Sequence, residues 1–258
     1  MIDSHCHLDS SKFGGRDDEL VREANQVGVH TIVNIGADLP SSRTSVELAD
    51  RFPSVYAAVG IHPHDATTCS DSAISELEQL AATRKVVAVG EIGLDYYRDL
   101  SPRPVQKRAF QMQLELAVAL HKPVVVHTRE AFAETVEIIG HYAARLPGAV
   151  FHCFPGDIQD AQRVFDLGFV ISVGGVITYK NSRMAKVAAE VPLDKIMLET
   201  DAPYLTPEPY RGEINKPAYV RLVCEKLAQL RGSSIAEVEK ITDRTSQKLY
   251  RLVDLFGE

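Results

Sequence analysis

Eight short runs of β-branched and aliphatic residues alternate with longer amphipathic stretches along the chain, and this alternation constrains the fold more than any other feature. The strand candidates are Ile2 to His7, Thr31 to Ile35, Val55 to Ile61, Val86 to Glu91, Pro123 to His127, Ala149 to His152, Phe169 to Val173 and Lys195 to Glu199. Helical spacing of apolar residues marks Asp17 to Val27, Ser42 to Arg51, Ser72 to Thr83, and Pro104 to His121, which opens on a proline whose missing N–H costs little there. Further helices read from Ala131 to Arg145, Ile158 to Leu167, Ser182 to Val191, Pro217 to Arg231 and Ile235 to Leu255. Eight consecutive βα units predict an α/β chain closed into a (β/α)8 TIM barrel, with an open doubly wound sheet as the runner-up. The 258 residues suit one such domain spanning 1–258, and no Pro/Gly/Ser-rich linker interrupts them.

The metal-competent side chains fall at the C-terminal ends of these strands. His5 and His7 end the first, Glu91 the fourth, His127 the fifth and His152 the sixth, while Asp201 follows the eighth. Singly, each reads as a solvated or hydrogen-bonded loop residue. Together they predict a metal centre, because barrel enzymes carry their active sites at this face. Residues i and i+2 of a strand share a face, so His5 and His7 point the same way and Cys6 the other. Cys6 and Cys153 read as structural. Imidazole with carboxylate suits zinc, manganese, iron or magnesium, and neither softness nor spacing selects one.

Two ions need a shared anionic ligand, and Glu91 lies between the two histidine pairs in strand order. The expected sets are His5, His7, Glu91 and Asp201 for one ion, and Glu91, His127 and His152 for the other. A cation-held water becomes a nucleophile near neutral pH, with Asp201 as the general base that takes its proton. Glu199 and Asp3 precede Asp201 and His5 by two residues and read as supporting groups.

The net charge of −7 and pI near 5.7 exclude the general basic footprint of a protein that coats nucleic acid, so a polyanion must be attracted locally, as bound cations would do. The polar start MIDSHCHLDSS lacks a signal-peptide pattern, and no apolar run approaches the roughly 20 residues of a membrane helix. Cys6, Cys69, Cys153 and Cys224 form no CxxC pair, which fits a reducing cytoplasm without a disulfide framework. No membrane and no stable protein partner are expected.

Asp3-Ser-His-Cys-His-Leu-Asp9, Gly60-Ile-His-Pro-His64, Gly90-Glu-Ile-Gly-Leu-Asp-Tyr-Tyr97, His127-Thr-Arg-Glu130, Phe151-His-Cys-Phe-Pro-Gly156 and Glu199-Thr-Asp-Ala-Pro-Tyr-Leu205, in that order, resemble the TatD family of metal-dependent deoxyribonucleases over nearly the whole chain. The resemblance implies a barrel of the amidohydrolase superfamily acting on phosphodiester bonds, typically as a 3′ to 5′ exonuclease on single-stranded DNA or RNA. Magnesium or manganese would support activity, with zinc, iron or nickel as other bound ions. It supports the six ligands at His5, His7, Glu91, His127, His152 and Asp201. Other superfamily branches bridge their metals with a carboxylated lysine on strand four, where this chain has Glu91. The resemblance further implies that His62 and Arg129 face the substrate phosphate, an arginine fork being suited to phosphate. His64 has both a substrate-facing and a solvent-facing reading.

One stretch departs from the family pattern. Where a basic Arg-Gly-Lys-Arg-Asn-Glu-Pro run is common, this chain reads Arg211-Gly-Glu-Ile-Asn-Lys-Pro217, so Glu213 and Ile214 replace two cations while Arg211, Asn215 and Lys216 remain as candidate mouth residues. Tyr96, Tyr97 and Tyr204 read either as stacking platforms for bases or as packing under loops. Two other functions stay open from the residues alone: a small-molecule amidohydrolase, lactonase or phosphoesterase on the same metals, and a non-enzymatic metal-binding protein.

Overall fold

The computed structural model describes residues 1–252. Its strands are β1 (Ile2–Cys6), β2 (Thr31–Ile35), β3 (Val55–Val59), β4 (Val86–Asp95), β5 (Val124–Arg129), β6 (Ala149–Phe151), β7 (Val170–Val173) and β8 (Ile196–Leu198). The helices are α1 (Asp17–Gln26), α2 (Leu39–Arg51), α3 (Asp71–Ala81), α4 (Arg103–Ala119), α5 (Phe132–Gly140), α6 (Ile158–Asp166), α7 (Arg183–Glu190), α8 (Val220–Arg231) and α9 (Ile235–Tyr250). The strands form one eight-stranded sheet in chain order, β1 to β8, with a helix after each, so the chain has the (β/α)8 fold expected of it. By its contacts the chain divides into two compact units. One comprises Met1–Asn34, Cys153–Gln162 and the described residues from Ile171 on; the other comprises Ile35–His152 and Arg163–Val170.

In the first unit β8 meets β1. The Asp201 N–H donates to the His5 carbonyl at 2.9 Å, and the His7 N–H donates to the Ala202 carbonyl at 2.8 Å. Beneath this seam the Asp3 carboxylate, fully buried, accepts from the Thr200 N–H at 2.9 Å and the Thr200 hydroxyl at 2.6 Å. Those bonds satisfy a carboxylate that would be costly in the core without partners. They also tie the residue that follows β8 to the strand that carries His5.

In the second unit β3 to β6 carry apolar side chains on both faces, as strands of a parallel sheet covered by helices should. Val59, Ile61, Leu77 and Leu116 are members of one such cluster. Two buried glutamines of α4, seven residues apart and so on one helix face, hold the strand ends that bear functional groups. Gln113 accepts from the Ile61 N–H at 2.7 Å and donates to its carbonyl at 2.9 Å. Gln106 does the same for Asp95, at 2.9 and 3.1 Å.

The structure differs from the sequence reading at several element ends. The fourth strand runs on to Asp95, because Gly93, at φ +146, lets β4 pass close to β5: a Cβ there would stand 2.0 Å from the His127 carbonyl oxygen. Helix α2 begins at Leu39, three residues earlier than expected, where Asp38 accepts from the Ser41 N–H at 2.8 Å in a capping box. Helix α5 stops at Gly140 and residues 141–145 form turns, consistent with the weak helix propensity of glycine. Pro217–Tyr219 form a 3-10 turn ahead of α8. Helix α9 ends at Tyr250 with Arg251 in the left-handed region, and the expected extension over 253–255 lies outside the described residues. None of the four cysteines forms a disulfide.

Candidate metal centre

In the first unit His5, His7 and Asp201 converge. The Nε2 atoms of His5 and His7 lie 3.3 Å apart, and Asp201 Oδ1 lies 3.6 and 3.5 Å from them respectively. His5 is buried, whereas His7 and Asp201 are each 14 % exposed, so the group opens to one side. Asp201 sits in the left-handed region at φ +55, a conformation that aspartate tolerates better than most residues. Below the group, burial pushes the Asp3 carboxyl up to about 8 although the Thr200 hydrogen bonds oppose it. Glu199 is buried and accepts from the Cys153 N–H at 2.7 Å and the Ser172 hydroxyl at 2.5 Å. Asp3 and Glu199 therefore brace the group through backbone and hydroxyl contacts.

In the second unit Glu91 is the focus. Its Oε1 lies 2.7 Å from His127 Nδ1 and 2.7 Å from His152 Nε2, and those two nitrogens are 3.2 Å apart. Burial alone would raise the Glu91 carboxyl; the nearby His152 and His62, with hydrogen bonds from His127 and His152, outweigh it and hold Glu91 well below the usual carboxylate range. Burial would lower His127, but hydrogen bonds to Asp95 and Glu91 prevail and raise it above the ordinary imidazole value. Donor atoms about 2.1 Å from one ion stand roughly 3–3.5 Å from each other in tetrahedral or octahedral geometry. The His127–His152 and His5–His7 separations both meet that condition, so each group fits a divalent cation.

His62 ends the Ile61 segment held by Gln113. Atoms of His62, Glu91 and His127 lie within 4.8 Å of one another, a grouping that by distance alone would suit a metal. The bonding of His62 argues otherwise. Its Nδ1 accepts from the His64 backbone N–H at 3.1 Å, so the neutral ring carries its proton on Nε2, which points toward Glu91 Oε1 at 3.6 Å. Burial, together with the neighbouring His127, keeps His62 well below the ordinary imidazole value and therefore neutral. It is a hydrogen-bond donor in this setting.

His64 is not simply solvent-facing, since its Nε2 lies 2.9 Å from Asp95 Oδ2. Arg129 does not pair with Glu134, which is engaged by Lys107 at 2.5 Å and by the Tyr96 hydroxyl. Instead the Arg129 guanidinium lies over the exposed Tyr97 ring, 3.8 Å from its centre. Arg211 is exposed and lies over Tyr179 at 4.4 Å. In the Arg211 segment, Asn215 is buried and donates to the Thr200 and Tyr204 carbonyls at 2.8 and 2.6 Å, while Lys216 is paired with Glu23 at 2.7 Å. Tyr96 packs inward on Glu134, whereas Tyr204 stays exposed beneath Lys12, 4.3 Å from the ring centre.

Sequence reasoning missed Asp95. Its carboxylate is buried, and Oδ1 accepts from the Tyr97 and Arg98 N–H groups at 3.0 and 2.8 Å. Glu91 and Asp95 are four residues apart on one strand and so share a face. That signal was legible only once β4 was carried past Gly93.

A (β/α)8 sheet with paired histidines and carboxylates at its C-terminal strand ends is the arrangement of a metal-dependent hydrolase. Residues 2–251 match the family model described as TatD related DNase, and the chain belongs to that family. It is 36 % identical over 253 residues to an uncharacterized metal-dependent hydrolase, YabD, of Bacillus subtilis, covering 98 % of this chain and 99 % of that one. It is 34 % identical over 259 residues to the 3′-5′ ssDNA/RNA exonuclease TatD of Edwardsiella piscicida, covering 98 % of this chain and all of the other. The crystal structure of YJJV, a TatD homologue of Escherichia coli K12, superposes with a TM-score of 0.91 at 34 % identity, covering 97 % of this chain and 98 % of that one.

Proposed function

We propose that the chain acts as a single catalytic domain that removes nucleotides from the 3′ ends of single-stranded DNA or RNA in the cytoplasm, with two divalent cations, magnesium or manganese, for activity. One observation carries this reading: two imidazole pairs, each spaced as two ligands of one ion and each joined by a carboxylate. On it, His5, His7 and Asp201 hold one cation and Glu91, His127 and His152 hold the other. Family membership supports the substrate, since relatives carry the name of an ssDNA/RNA exonuclease.

When bound, such cations supply positive charge against phosphoryl oxygens and lower the pKa of water toward about 7. Asp201 takes the proton of the attacking water. The water oxygen bonds to phosphorus, the bond from phosphorus to the 3′ oxygen of the preceding nucleotide breaks, and a nucleoside 5′-monophosphate leaves. His62, neutral with its proton on Nε2, donates a hydrogen bond to a phosphoryl oxygen, and solvent supplies the proton of the departing oxygen. Arg129, held flat by Tyr97, offers a two-pronged donor to phosphate, and Arg211 contributes a further cation. His64 keeps Nε2 on Asp95 and meets substrate through Nδ1.

A second reading, a hydrolase of small esters, lactones or amides, is favoured by the commitment of Lys216 to Glu23 in a segment already lacking two cations. Incubating magnesium- or manganese-loaded protein with end-labelled single-stranded and duplex oligonucleotides separates the two. Progressive shortening of the single strand from its 3′ end is expected. Intact oligonucleotides alongside rapid ester or lactone turnover would replace the nuclease reading with the second.

A further inference from the structure

Asp95 belongs to none of the expected ligand sets, yet each of its oxygens is committed. Oδ1 accepts from two backbone N–H groups, those of Tyr97 and Arg98. Oδ2 lies 2.9 Å from His64 Nε2 and 3.2 Å from His127 Nε2. Gln106 fixes the Asp95 backbone from both sides, so the carboxylate is held in place independently of the imidazoles. A buried, ionised carboxylate can only accept, which requires protons on both of the facing nitrogens.

We propose that Asp95 is a positioning residue that holds His127 as its Nε2–H form, so that Nδ1 is the atom His127 presents to a divalent cation. The proposal rests on the reading of His127 as a ligand. Without a cation Nδ1 gives its own proton to Glu91 Oε1, 2.7 Å away, and lies 3.2 Å from His152 Nε2, so a cation that displaces this proton meets the two other atoms of the same ligand set while Nε2–H stays on Asp95. A ligating histidine generally donates its other N–H to a carboxylate or carbonyl that fixes the ring. Asp95 supplies that acceptor, and the same oxygen orients His64, so one carboxylate sets the direction of two rings.

The nearly isosteric Asp95→Asn tests the role by inverting it. The two backbone N–H groups demand an acceptor, so the amide oxygen takes the place of Oδ1 and the amide NH2 faces the imidazoles. Both rings must then accept at Nε2, which moves the His127 proton to Nδ1, onto the atom that would bind the cation. In zinc-loaded, 15N-labelled protein, where the cation takes the place of the proton that Nδ1 gives to Glu91, two-bond ring correlations should show His127 protonated on Nε2 and metal-bound through Nδ1 in the wild type, and no such species in Asp95→Asn at the same zinc concentration. Zinc competition against a chelator should show about 10- to 100-fold weaker binding of one ion in the variant, with the other unchanged.

A wild-type, zinc-loaded His127 bound through Nε2 would overturn the proposal, as would a folded Asp95→Asn that binds zinc like the wild type. Should the variant not fold, the wild-type ring measurement still decides. Failure here is separable from failure of the nuclease reading. An Nε2–H on His127 in a protein that leaves oligonucleotides intact removes only the substrate assignment. A zinc-bound Nε2 on His127 in an active nuclease removes only the role of Asp95.

Discussion

The backbone N–H of His64 donates to Nδ1 of His62 at 3.1 Å and thereby assigns the proton of His62 to Nε2. A ring so fixed offers an N–H and not a lone pair at Nε2, and on the proposed function it donates to substrate. His62→Ala should lower kcat by about 10²-fold or more, the scale of removing one preorganised donor, while leaving metal content unchanged. Loss of a bound ion in that variant would instead make His62 a ligand.

On the proposed mechanism Asp201→Asn keeps the shape of the side chain but removes both the general base and an anionic ligand of one cation. Turnover should fall by about 10²- to 10⁴-fold, the usual contribution of a positioned general base. Single-turnover rates on an end-labelled oligonucleotide check this, and an unchanged rate would assign the proton transfer elsewhere.

Metal uptake should depend on pH through His127. Its value is raised in the metal-free chain by Asp95 and Glu91 against the effect of burial, so the ring stays protonated above the ordinary imidazole range. A cation binds only the deprotonated nitrogen, so binding must expel that proton. Affinity should therefore weaken as pH falls through the raised His127 value, with proton release on binding below it. Calorimetric titration in buffers of different ionisation enthalpy measures the released protons, and pH-independent affinity without release would contradict the assignment.

Arg129 lies on the Tyr97 ring with its donors available in a plane. Arg129→Ala should raise KM for oligonucleotides by about 10- to 100-fold, the equivalent of about 1.5–3 kcal/mol for hydrogen bonds to a charged group. Arg129→Lys should recover only part of it, because an ammonium lacks the two-pronged geometry. Steady-state kinetics at fixed ionic strength tests both.

Gly93→Ala should destabilise the protein by about 3 kcal/mol, the upper end for overpacking, since the added methyl would meet the His127 carbonyl oxygen and φ is +146. Denaturant unfolding of the metal-free protein reads this directly. A neutral result would mean that β4 and β5 can separate without cost.

The eight βα units were legible because strand and helix periods are written in the apolar residues. The placement of His5, His7 and His152 at or just past strand ends followed from the same pattern, whereas Glu91 and His127 lie inside strands that run on to Asp95 and Arg129. What stayed hidden depended on contacts between distant segments. The extension of β4 from Glu91 to Asp95 depends on the close approach of Gly93 to β5, a contact the sequence does not display, and with it Asp95 on the same face stayed concealed. The Asn215 and Lys216 side chains read as candidate mouth groups until the structure tied them to Thr200, Tyr204 and Glu23. The tautomer of His62 was likewise unreadable, since it depends on how the backbone of His64 turns back on the ring.

The most direct test is a count of bound ions per chain by elemental analysis after equilibration with manganese, in the wild type, in His5→Ala/His7→Ala and in His127→Ala/His152→Ala. The account predicts two ions in the wild type and one in each double variant. A wild type that hydrolyses oligonucleotides with no ion bound, or double variants that keep both ions, would contradict it.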